Sequence, residues 1–96
     1  MSNVIKLAKT FKFEGKDYNE IDLTGLEDLT TADISECEKL FERNGNFSAL
    51  KEMNLEYCIL VANKVTGFPV EFFNALPARE GAKVKQAVSA YFFQEA

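Results

Sequence analysis

One glycine and two prolines in the second half of the chain limit its fold more than any other feature. Gly67 follows the apolar run NLEYCILVANKVT, Pro69 precedes VEFFNAL, and Pro77 precedes AREGAKVKQAVSAYFF. A glycine takes the left-handed conformation that ends a helix. A proline lacks only an N–H that the first helical turn leaves unpaired, but inside a helix its ring clashes with the preceding turn. It also drives the residue before it out of the α region, as Pro77 does Leu76. The spacing therefore predicts three helical segments over 54–93 with almost no linker between them. Gly67, Pro69 and Pro77 are the helix punctuation, with Pro69 at a first helical position.

These segments are heavily apolar. Asn54 is the expected cap of the first, with Tyr57, Cys58, Val61, Ala62 and Val65 inward and Leu55, Ile59 and Leu60 extending the apolar surface nearly all round. Such a helix lies at the centre of a domain or at an interface. The last segment, about 78–93, is expected to bury Val84, Val88, Tyr91 and Phe92.

The first half reads differently. In VIKLAKTFKF (4–13), Phe11 and Phe13 flank Lys12 with the period of two that marks a half-buried strand. Glu14-Gly15-Lys16-Asp17 supplies a turn, and Tyr18–Leu23 resumes alternation, with Asn19, Ile21 and Leu23 on one face and Tyr18, Glu20 and Asp22 on the other. Together they read as a β-hairpin over 4–23. A lone hairpin is marginally stable, so the downstream helices are its expected cover. Thr30 or Thr31 then caps an acidic helix over 30–45, with Ile34, Cys37, Leu40 and Phe41 on one stripe and Asn44-Gly45 at its end. Residues 46–53 (NFSALKEM) have weak periodicity and read as a connection that tucks Phe47 and Leu50 against the core. The fold class that follows is α+β: one domain over 1–96, an N-terminal β-hairpin packed on a bundle of about four short α-helices.

Charge is uneven. Residues 1–16 hold four lysines against Glu14, while residues 17–60 hold eleven acids against Lys39, Arg43 and Lys51. An acidic middle repels phosphate backbones, and no long basic stripe exists to release counterions, so nucleic acid is disfavoured as a partner. The reading against it is a small helical DNA-binding regulator, whose last helix would offer Arg79, Lys83, Lys85 and Gln86. No stretch is long and uncharged enough to span a membrane, so no membrane partner is expected. Lysines interrupt the apolar runs near the N-terminus, which argues against a secretory leader and for a cytoplasmic chain with Cys37 and Cys58 reduced.

Residues for chemistry are scarce. Histidine is absent, which removes the commonest general base and the commonest zinc ligand. The two cysteines lack metal-site spacing, the five glycines form no phosphate-cradling loop, and no serine sits in a nucleophile-elbow pattern. Neither an enzyme nor a cofactor is expected. What remains is apolar surface: Phe68, Phe72, Phe73, Phe92 and Phe93 are the candidate client-binding or self-association residues. Helical neighbours point about 100° apart, so both members of Phe72-Phe73 and of Phe92-Phe93 rarely reach one narrow stripe. Either a small core wraps round both, or one of each pair is presented outward.

The order A-x-K-x-T-G-F-P-x-E-F-F-x-x-L-P, here Ala62 through Pro77, together with the hairpin and acidic helix before it, resembles the tail assembly chaperones of long-tailed bacteriophages and prophages. The resemblance covers about residues 4–93 and rests on packing and punctuation residues. It implies a non-catalytic chaperone that binds and solubilises the tape measure protein in the host cytoplasm and is absent from the mature virion. It also implies homo-oligomers, and recruitment of tail tube protein by a frameshifted longer form. A structural head–tail connector of the virion is the other phage reading.

Overall fold

The computed structural model describes residues 4–93. Strand β1 (Val4–Phe13) pairs antiparallel with β2 (Lys16–Asp22) in a two-stranded sheet. The turn is tighter than the four residues expected from sequence: Phe13 already faces Lys16 across the ladder. Glu14 (φ 50°) and Gly15 (φ 80°) both take positive φ. Two such residues give the two-residue hairpin turn whose twist matches that of the strands.

The ladder is irregular. Lys6 faces Glu20 and Phe11 faces Tyr18, so β1 spends three more residues than β2 over the same stretch. The burial along β2 corrects its two-faced reading. Tyr18 joins Ile21 and Leu23 on the helix side, whereas Asn19 is exposed and accepts a hydrogen bond from the Thr10 hydroxyl at 2.8 Å.

A short 3-10 turn over Thr24–Asp28 brings in the buried Leu26. Helix α1 (Thr31–Arg43) starts at a capping box: the Thr30 hydroxyl accepts from Asp33 N–H, and the Asp33 carboxylate accepts from Thr30 N–H. That backbone bond is the main force holding the Asp33 carboxyl below its ordinary range. Of the expected stripe, Cys37 and Phe41 are buried and Ile34 is half-buried, but Leu40 is exposed; α1 packs mainly on one neighbouring helix.

That neighbour is α2 (Leu55–Thr66), the central helix, which touches α1, α3 and α4. Asn54 caps it by accepting from the N–H groups of Glu56 and Tyr57. Its residues Tyr57–Ala62 are all buried, as a helix apolar nearly all round requires. Gly67 ends it at φ 81°, in the left-handed conformation. Helix α3 (Val70–Ala75) and helix α4 (Ala78–Phe93) follow at once. Pro69 stands one place earlier than expected, capping α3 rather than opening it. Leu76 is extended (ψ 147°), as a residue before proline must be, and the Pro77 carbonyl accepts from Glu80 and Gly81 to start α4.

One hydrophobic cluster joins both strands and all four helices. The punctuation has a definite product within it. Two prolines confine α3 to six residues and set Phe72 against the hairpin, where its ring meets Phe11, Phe13 and Tyr18 edge-on at 5.1–5.3 Å. Phe68 stacks on the same ring at 4.4 Å. Edge-to-face pairs of this kind add about 0.5–1.5 kcal/mol each beyond simple burial.

Candidate functional site

The five phenylalanines singled out from sequence do not share a surface. Phe72 is 0 % exposed and Phe73 3 % exposed, so neither presents a ring to a partner. The helical geometry of the pair is as expected, but α3 is covered on two sides: the hairpin takes Phe72, and Phe73 packs among the core residues. Phe68 is half-buried on Phe72 and Tyr18. Phe92 is half-buried beside Tyr57 and Tyr91. Phe93, at 57 % exposure, alone of the five is turned to solvent, because α4 is covered on one side there.

The exposed apolar surface lies elsewhere. Phe47 is 91 % exposed, and Leu50, Met53 and Leu55 follow it, each about half exposed. This corrects the expectation that Phe47 and Leu50 tuck into the core. The connecting segment is held by its backbone and its polar atoms instead of by those side chains. Asn46 N–H donates to the Phe41 carbonyl, and Lys51 pairs with Glu42 at 3.5 Å, fixing the segment to the end of α1. On its other side the Ser89 hydroxyl donates to the Glu52 carbonyl at 2.6 Å, and the Cys58 thiol reaches the same oxygen at 3.5 Å. A second 3-10 turn, Lys51–Met53, is thereby fixed against α2 and α4 and tied to α1 by Lys51.

Beside this segment a groove of about 470 Å³ runs between the helices. Leu55 and Ile59 of α2 form one side, Phe73 and Leu76 the base, and Ala78, Gly81, Ala82 and Lys85 of α4 the other. Small residues along that side leave room for an incoming side chain. Towards the other end of α2 the α1 surface is acidic, with Lys64 of α2 bonded to Glu36 and 3.8 Å from Asp33.

Little in this arrangement is chemically reactive. Cys37 and Cys58 are free and buried, and burial pushes both thiols up, which leaves little thiolate at neutral pH. Burial likewise raises Tyr57, whose hydroxyl has no hydrogen-bond partner among the described residues. Among the described residues no group of histidine, cysteine, aspartate or glutamate could hold a metal ion. No helix there is long and apolar enough to cross a membrane. Of the cations proposed for DNA reading, Lys83 is bonded to Glu80 at 2.8 Å and to the Lys6 carbonyl at 3.3 Å, while Lys85 is half-buried in the groove.

Sequence reasoning missed Glu80, which is 5 % exposed. Its carboxylate accepts from Ala8 N–H at 2.8 Å, at the irregular part of β1, and pairs with Lys83. These two partners hold its carboxyl below the ordinary glutamate range. A carboxylate and an ammonium thus meet β1 where a third strand would. A glutamate in the first turn of a helix reads as an ordinary dipole partner, so nothing local points to this role.

The class these features define is a small α+β domain that offers apolar surface at the junction of three helices. Comparison of the chain with family models, with curated proteins and with solved structures finds no match.

Proposed function

We propose that the domain is a tail assembly chaperone of a long-tailed phage or prophage, a non-catalytic protein that keeps the tape measure protein soluble while the tail is built. The observation that carries this reading is Phe47, 91 % exposed on a segment pinned from both sides and followed by exposed Leu50, Met53 and Leu55. A tape measure protein is long, helical and apolar. An amphipathic helix of that kind seats bulky side chains, three to four residues apart, in a groove such as the one between α2 and α4. The acidic surface of the chain keeps such a complex soluble. A client far longer than this domain takes many copies, each adding modest affinity. In this reading the chain assembles as a homo-oligomer along its client in the host cytoplasm and is left out of the mature virion, while a frameshifted longer form recruits tail tube protein.

Co-expression with the tape measure protein of the same tail gene cluster tests the proposal. The client is expected to stay in the soluble fraction and to co-purify. A double change, Phe47→Ser with Leu50→Ser, is expected to abolish both effects while the domain stays folded. No gain in client solubility with the wild-type chain overturns the reading.

A further inference from the structure

On another face of the first turns of α4 lies a larger groove of about 730 Å³, between them and the irregular part of β1, with Ala78 lining both grooves. Its apolar part is Leu7, Phe11 and Pro77, with Leu7 and Phe11 half-buried and Phe11 anchored edge-on to the Phe72 ring at 5.2 Å. Its charged part is Lys9, Arg79 and Lys83, all exposed. The one carboxylate there, Glu80, is already engaged by Lys83 and Ala8 N–H. The groove therefore carries surplus positive charge from Lys9 and Arg79, whereas Lys6 on the same strand is paired with Glu20 at 2.8 Å. On a chain of net charge −4 this is a local inversion of sign.

We infer that this groove is a second docking site, taking an acidic peptide segment of a partner protein that carries a bulky apolar residue between its carboxylates. The apolar part accepts one side chain, and the cations Lys9 and Arg79 that line the same groove attract carboxylates on the segment that carries it. Glu80 holds β1 against α4, so the groove exists before the peptide arrives and little ordering is needed in the protein. Lys9 and Arg79 carry no ion pair among the described residues, so their charge is available to a partner. The site is independent of the Phe47 surface.

A random peptide library displayed against the intact chain tests this. Selected peptides are expected to combine acidic residues with a central bulky apolar one. Their affinity is expected to fall by about tenfold or more with Lys9→Glu plus Arg79→Glu, two exposed changes that leave the core alone. It is expected to fall also at 1 M salt, where the screening length shrinks to about 3 Å. Phe47→Ser is expected to leave it unchanged, which separates this site from the client surface. Selection of basic or uncharged peptides, equal binding to the charge-reversed variant, or no selection at all overturns the inference. A charge-reversed variant that merely changes oligomeric state, with no acidic peptide selected, also overturns it, since a second copy then fills the groove.

Discussion

Replacing Phe47 and Phe72 by alanine, one at a time, separates the two roles that phenylalanine plays in this chain. Phe47 is 91 % exposed, so its removal takes almost nothing from the packing and is expected to change stability by no more than about 0.5 kcal/mol. Phe72 is fully buried, with the rings of Phe11, Phe13, Tyr18 and Phe68 within 5.3 Å. Its loss leaves a cavity that costs about 4 kcal/mol. A domain of this length has only roughly 5–14 kcal/mol in total, so Phe72→Ala lowers Tm by roughly 15 °C or more. Binding runs the other way. Burying the Phe47 ring against a client is worth about 2 kcal/mol, which is about thirtyfold in affinity. Urea unfolding followed by circular dichroism reads the first quantity, and titration with a fluorescent amphipathic peptide from the tape measure protein reads the second. The expected pattern is a stable Phe47→Ala that binds weakly and an unstable Phe72→Ala. If Phe47→Ala loses more than about 2 kcal/mol of stability, the ring is packed and the assignment of the surface fails. If it stays stable and binds as wild type does, the client lies elsewhere.

Two further predictions concern buried polar groups. The Tyr57 hydroxyl is buried without a partner among the described residues, so Tyr57→Phe is expected to be neutral or to stabilise by about 1–2 kcal/mol in thermal unfolding, and a loss of that size would mean the hydroxyl is bonded. Glu80→Gln weakens the Lys83 pair and the bond from Ala8, and is expected to cost about 1 kcal/mol at neutral pH. The sign of its pH dependence follows from the lowered carboxyl. The stabilisation is present above the ordinary glutamate value of 4.5 and is lost as pH falls through the depressed folded-state value. The difference between wild type and Glu80→Gln, measured by urea midpoint, should therefore shrink on acidification below that point; a gap that stays constant refutes the role given to Glu80.

Much of the architecture was legible in the chain because its signals are local. Asn54 and Gly67 mark helix ends through bonds and backbone angles that involve only near neighbours, and the structure places both where the sequence does, while of Thr30 and Thr31 it chooses Thr30, boxed with Asp33. Pro69 differs by one position, a difference that changes no packing. The hairpin and its turn follow from alternation and from Gly15. The candidate surface was far less legible. The rule that adjacent helical side chains point apart holds at both phenylalanine pairs, yet the outcomes differ. Phe72 and Phe73 are both buried because the hairpin and the helices cover α3 from two directions, while Phe93 is exposed because α4 is covered from one.

Taken alone, the amino-acid sequence determined the hairpin, the order of the helices and their limits to within a residue or two, and the punctuating role of Gly67, Pro69 and Pro77, because these depend on φ, ψ and hydrogen bonds within a few residues. Only the tertiary structure decided which apolar residues are core. It put Phe47 outside on a segment held by polar bonds, set Tyr18 inward against Phe68 and Phe72, and buried Glu80 against Ala8. Burial is settled by what arrives from distant parts of the chain, and no local pattern reports that.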